Sequence, residues 1–231
     1  MERTLAVVCV SGGMDSALTA ALAAADHDLA FLHANYGQRT EARELACFLA
    51  LADHYAARHR LVVEFPALRA IGGSSLTDAR IPVREGEPEA GRIPASYVPF
   101  RNAHLLSAAT SWGEVLGARA IFVGAVEQDS SGYPDCRPVF YRAFEEAIRQ
   151  GTRPETSIRI ETPVIGMSKA DIVRRGTDLR VPFAKTWSCY QAEDEACGEC
   201  ESCRLRLHGF AQAGVPDPIR YRSKVATRGR K

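Results

Sequence analysis

No stretch of this chain is long and apolar enough to cross a bilayer. The best candidate, "ALTAALAAA" at 17–25, falls well short of the roughly 20 residues a spanning helix needs, so no membrane partner is expected. No signal peptide is expected either, because Gly12, Gly13 and Asp15 break the apolar segment near the N-terminus before it resembles one, and the cytoplasm is the expected location. Net charge is scarce: 29 basic residues stand against 28 acidic ones, which leaves no global field to draw the protein onto nucleic acid or an anionic surface. Seven cysteines, an odd number, come without a secretory signal and with four crowded into 189–203, which argues against a disulfide framework and for a metal.

What is present is a chain of 231 residues with 46% hydrophobic content, ample for the core of one α/β domain with a small appendage. Short apolar runs at 4–10, 29–34, 60–65, 120–125 and 157–161 read as strands. Between them, helical patterns run over 15–25, from about Glu41 to His59, from about Asn102 to Leu116 and from about Val139 to Arg149. Alternation of this kind predicts an α/β fold, an open parallel sheet with helices on both faces. "SKAD" at 168–171 has the form of a capping box opening one more short helix. The Gly- and Pro-rich segment 72–99 carries little periodicity and reads as a long active-site loop. Three units are expected: an α/β domain over 1–180, a cysteine-bearing segment over 181–219 and a basic tail over 220–231.

"VSGGMDS" at 10–16 sits between the first strand and the first helix, where an open parallel sheet places its ligand. Adjacent Gly12 and Gly13 let the backbone approach an anion closely, the free N–H groups of the helix start face it, and Ser11 and Ser16 bring hydroxyls. The turn is not a Walker A loop, which needs a lysine beside its Ser/Thr, and it lacks the G-x-G-x-x-G spacing of a dinucleotide fold. Asp15 beside phosphates needs a cation or a helix N-terminus to accept it. An ordinary strand-to-helix turn capped by Asp15 would read the same way. The S-G-G-x-D-S pattern nevertheless resembles the PP-loop of ATP pyrophosphatases, which cleave ATP between its α and β phosphates.

Cys189, Cys197, Cys200 and Cys203 follow a C-x7-C-x2-C-x2-C spacing, in which each C-x2-C turn brings two thiolates onto one metal and Gly198 eases the bend. Four sulfurs complete a tetrahedral shell for a structural zinc, and an iron–sulfur cluster takes the same ligands. His208 is expected on an exposed helix face, and Cys136 as a buried or substrate-lining thiol, since no histidine lies beside it in sequence to activate it.

"YGQR" at 36–39, "YVPFRN" at 97–102, "SGYPDCRP" at 131–138, "TPVIGMSKADIV" at 162–173 and "TWSCY" at 186–190 join the glycine turn and "CGECESC" in one pattern. Together they resemble the 7-cyano-7-deazaguanine synthases of the queuosine pathway, from the N-terminus to about Pro218. The resemblance implies a PP-loop fold of the adenine-nucleotide α-hydrolase kind and the ATP-dependent conversion of 7-carboxy-7-deazaguanine and ammonia to the nitrile. It also implies Mg²⁺ with the ATP, one Zn²⁺ per chain and a homodimer. Thr40 departs from the pattern, where histidine is expected after "YGQR".

On this resemblance Val10, Ser11, Gly12, Gly13, Met14, Asp15 and Ser16 form the ATP site, and Asp15, Lys169, Lys185 and Arg101 are the candidate catalytic residues. Tyr133, Asp135, Arg137 and Asn102 are candidates to bind the deazaguanine. Adenylation makes AMP the leaving group, so no nucleophilic side chain is required. A glutaminase domain or N-terminal cysteine nucleophile is not seen, and free ammonia is the expected nitrogen source. Other readings are a PP-loop enzyme that modifies tRNA or attaches a deazapurine to a macromolecule, and a zinc-bearing nucleic-acid module without catalysis. The tail "RYRSKVATRGRK" at 220–231 is basic, with no acidic residue, and is expected to be a solvated end, with no nucleic-acid partner.

Overall fold

Five short parallel strands, β1 (Thr4–Cys9), β2 (His27–Asn35), β3 (His59–Glu64), β4 (Ala120–Val123) and β5 (Arg159–Glu161), lie in the order β3-β2-β1-β4-β5. They form the centre of the computed structural model, which describes residues 3–86, 92–127 and 132–222. The middle strand is apolar from Leu5 onward and buried from Ala6 to Cys9, as a strand covered on both faces must be. β3 and β5, at the edges, carry His59, Arg60, Glu64, Arg159 and Glu161, which discourage further strand pairing.

Helices α1 (Met14–Asp26), α2 (Glu41–His54), α3 (Pro66–Ile71), α4 (Arg101–Leu116), α5 (Pro138–Gly151), α6 (Lys169–Asp178) and α7 (Glu201–Ala213) complete the fold. Leu18 of α1, Phe48 and Leu51 of α2, Ile172 of α6 and Phe210 of α7 share one core with Val8 and Phe31 on one face of the sheet. On the other face Leu106 and Ala109 of α4 and Tyr141 and Ile148 of α5 pack on Val7 and Ile121. The expected open parallel sheet with helices on both faces is what forms. Among the described residues no helix is long and apolar enough to cross a membrane.

Three boundaries differ from expectation. α2 stops at His54, five residues short of His59, because Ala56 takes a left-handed conformation (φ 49°) and His59 is needed in the sheet opposite Ala30. α3, with proline at its first turn, follows β3 directly where no helix is expected. The basic tail begins later than residue 220, since Tyr221 bridges to Ala196 and its hydroxyl donates to Asp217 Oδ2 at 2.7 Å. Residues 223–231 of that tail, 87–91 of the long loop and Ser131 of "SGYPDCRP" lie outside the described residues.

The strand order reverses between β1 and β4: β2 and β3 extend the sheet to one side of β1, β4 and β5 to the other. The crevice beyond the carboxyl ends of β1 and β4 is thus the ligand position of an open α/β sheet. Gly124, just past β4, keeps that crevice tight, because a Cβ there would stand 2.8 Å from the Ser16 backbone.

Candidate active site

The glycine turn occupies this crevice. Gly12 has φ +87°, and a Cβ on it would meet the Glu44 carbonyl at 2.7 Å, so conformation and space both require glycine. Gly13 is the N-cap of α1 with no side-chain cap, which leaves the first-turn N–H groups for a ligand and shows that Asp15 is not the cap. The hydroxyls are pre-set: Ser11 Oγ accepts from Gly13 N–H at 3.3 Å and donates to Ser16 Oγ at 3.2 Å, and Ser16 Oγ donates to Gly13 O at 3.0 Å. Asp15 Oδ2 is paired with Lys169 Nζ at 2.7 Å, while its Oδ1 is buried with no hydrogen-bond partner. Lys169 opens α6, whose N-cap Ser168 and Asp171 form the expected capping box.

The turn lines a cavity of about 260 Å³ together with Lys169 and Arg101. Arg101, at the start of α4, donates to the Tyr36 hydroxyl at 3.0 Å. Tyr133 lines the same cavity and donates to Ser96 Oγ at 2.9 Å, and Cys136 lies beside it. Burial pushes the Cys136 thiol up to about 11 and the Cys9 thiol up to about 12, so both stay protonated and neither is an activated nucleophile.

Not every predicted residue arrives here. Lys185 is exposed, at the end of a single 3-10 turn, and is not among the cavity-lining residues. Arg137 is exposed also and donates Nε to the Pro134 carbonyl at 3.0 Å, away from the cavity. Asp135 is buried, but it serves α4: its Oδ2 accepts from Asn102 N–H at 2.9 Å and its carbonyl accepts from Asn102 Nδ2 at 2.9 Å. Asn102 touches the cavity but spends its amide on that contact and on Cys136 Sγ. The "PDC" segment is a 3-10 turn, in which residues three apart share a side, so Tyr133 and Cys136 line the cavity together.

Other cavity residues carry no assigned role in the sequence reading. His33, on β2, donates Nδ1–H to the Val10 carbonyl at 2.8 Å, stacks on Phe48, and leaves Nε2 unpartnered. Burial lowers its pKa, so it is the neutral imidazole. Glu44 on α2 accepts from Thr40 Oγ1 at 2.8 Å and from Gln38 Nε2 at 3.3 Å, so the unexpected Thr40 has a partner. Helical spacing was the available signal: Glu44 stands three and four residues before buried Cys47 and Phe48 and so falls on the inward stripe of α2.

Behind the turn, Cys189, Cys197, Cys200 and Cys203 bring their sulfurs within 4.8 Å of one another. Backbone N–H groups of Gln191 and Cys197 point at Cys189 Sγ, and those of Glu199 and Cys200 at Cys197 Sγ, at 3.3 to 3.4 Å. Such donors favour thiolate sulfur, and four converging thiolates fit a metal ion. His208 is exposed on α7, as expected. The segment is locked to the rest of the protein by buried Arg206, which pairs with Asp217 at 2.8 Å and donates to Thr186 Oγ1 at 2.8 Å. Trp187 N–H donates to the Gly12 carbonyl at 2.9 Å, joining cysteine segment and glycine turn.

The family model described as queuosine biosynthesis protein QueC matches residues 5–214. A 7-cyano-7-deazaguanine synthase of Chlorobaculum parvum is 58% identical over 219 residues, covering 94% of this chain and 96% of that protein. One from Chloroherpeton thalassium is 56% identical over 218 residues, with the same two coverages, 94% and 96%. Among solved structures, the U34-tRNA thiolase NcsA of Methanococcus maripaludis aligns with a TM-score of 0.47 and 12% identity, over 90% of this chain and 65% of that one.

Proposed function

The chain belongs to the QueC family of queuosine biosynthesis proteins, and on that premise we propose how its residues carry out the reaction. The activity is that of a 7-cyano-7-deazaguanine synthase, an ATP-dependent enzyme. The observation that carries the mechanism is the placement of the glycine turn, Asp15, Lys169 and Arg101 around one cavity at the sheet's switch point.

A carboxylate is a poor electrophile. The carboxylate of 7-carboxy-7-deazaguanine attacks the α-phosphorus of ATP, pyrophosphate leaves, and the acyl adenylate forms. Free ammonia attacks its carbonyl carbon, the bond to AMP breaks, and a primary amide results. The amide oxygen attacks a second ATP, pyrophosphate leaves again, and loss of AMP with the two N–H protons leaves the nitrile. Ser11, Gly12, Gly13 and Ser16 hold the pyrophosphate portion with backbone N–H groups and hydroxyls, and Val10 and Met14 wall the nucleotide. Lys169 neutralises charge building on the phosphates, and Arg101 orients a carboxylate or phosphate. Tyr133 is positioned to contact the deazaguanine.

Asp15, with one buried oxygen unpartnered, fits as the residue that would hold the Mg²⁺ accompanying ATP, a cation that offsets phosphate charge. The four cysteines suit one structural zinc, whose closed shell leaves no position for a reacting water. A homodimer is assigned on family resemblance alone, and the cytoplasm is the location expected from the sequence.

The test is mass spectrometry of the products after incubation with ATP, Mg²⁺, ammonium and 7-carboxy-7-deazaguanine. The nitrile and about two AMP per nitrile are expected, since each of two adenylations releases one. Pyrophosphate release that requires RNA and ignores the deazaguanine would overturn the assignment.

A further inference from the structure

We infer that Glu44 is the proton acceptor of the amination step: ammonia attacks the adenylate within reach of its carboxylate, which takes the proton the new C–N bond must shed. This rests on the reading of the activity given above.

Placement is the first argument. The Glu44 backbone is packed on Gly12 so closely that a Cβ there would clash, which anchors this carboxylate beside the phosphate turn. Its side chain lines the cavity shared by Asp15, Lys169 and Arg101. The second argument is its hydrogen bonding. Thr40 and Gln38 are neutral donors, one to each oxygen, and among the described residues no lysine or arginine lies within ion-pair distance. A carboxylate has about four acceptor positions, so capacity remains for an N–H donor from the cavity. Asp15, by contrast, is engaged by Lys169.

The charged and titratable groups that act on Glu44 are Arg101 from α4, Tyr36 just after β2, and Glu41 and Cys47 on its own helix, while Arg43 and Arg206 from α7 act on Cys47 one turn along. Burial pushes the Glu44 carboxyl up to about 7, with Thr40, Gln38 and Arg101 opposing it. A base poised near neutral pH has the strength this proton transfer needs. His33 Nε2, also on the cavity wall, belongs to an imidazole whose basicity burial lowers, which makes it the weaker acceptor.

The atoms balance. The nitrogen lone pair attacks the carbonyl carbon, the C–O bond to AMP breaks with its electron pair leaving on AMP, and one N–H proton passes to Glu44.

The experiment compares wild type with Glu44→Gln, which keeps the volume and one of the two accepted hydrogen bonds while removing the base. Two rates are read: pyrophosphate exchange into ATP dependent on carboxydeazaguanine, which reports adenylation, and amide plus nitrile formation at constant free NH₃. Exchange should stay near the wild-type rate while product formation falls about 10²- to 10³-fold. At constant NH₃ the wild-type rate should rise with pH through about 7, and that limb should vanish in Glu44→Gln. Glu44→Asp, which keeps a carboxylate, should retain the limb, and it serves alone if the glutamine variant does not fold. Product formation by Glu44→Gln at the wild-type rate, equal loss of exchange and product, or a Glu44→Asp profile without the limb would each overturn the proposal. A wild type that shows no exchange at all instead sinks the reading of the activity.

Discussion

The glycine turn and the cysteine segment touch through one hydrogen bond, Trp187 N–H to Gly12 O, yet different physics holds each in place. The turn hangs from β1, whose buried apolar residues are paired on both sides by β2 and β4. Its shape should survive changes to its polar side chains, because the sheet supplies the stability. The cysteine segment has a small apolar cluster around Trp187, Ala192 and Ala196, and its shape depends on four converging sulfurs and the buried Arg206–Asp217 pair. Polar residues in the first region should therefore be worth activity, and polar residues in the second should be worth stability.

Cys200→Ser is the severest trial of that contrast. It should strip the metal and unfold the C-terminal segment, since structural zinc supplies an apparent ~10–16 kcal/mol in small sites. Elemental analysis together with a thermal melt checks it; full metal content with an unchanged melt would erase the distinction. Arg206→Met comes next. It leaves Asp217 charged and buried, a loss of about 3–5 kcal/mol, read as a fall in Tm of roughly 10 °C. Replacing Asp217 with leucine in the same chain should recover part of the fall.

Asp15→Ala should do the reverse, lowering turnover by about 10²- to 10³-fold with little change in Tm. A matching loss of stability would mean that the turn, too, is held by its side chains. The smallest effects belong to Lys185→Ala and Arg137→Ala, both exposed and outside the cavity, and steady-state kinetics should stay near wild type.

Much of this arrangement is legible in the sequence because it is written in local rules. The strand and helix alternation, the S-x-x-D capping box at Ser168 and the C-x2-C turns each depend on residues close together in the chain. What escapes depends on tertiary placement. Asp135 reads as a recognition residue until α4 is seen to need its oxygen at Asn102 N–H. Lys185 reads as a phosphate ligand until its short turn aims it at solvent. Glu44 has only its place on the inward stripe of α2 to mark it, and the packing of α2 on Gly12 turns that stripe into cavity wall. The end of α2 escapes for a similar reason: the sheet's demand for His59 opposite Ala30 overrides helical pattern.

Asp15 and Lys169 already neutralise each other across 2.7 Å. A nucleotide reaching the turn therefore makes an exchange of ionic partners and does not settle onto bare cations. Such an exchange leaves little net charge for dissolved salt to screen, so the share of affinity that comes from the turn should fall only gently as ionic strength rises. The turn is buffered against the salt content of its surroundings in a way that a cradle of unpaired lysines would not be.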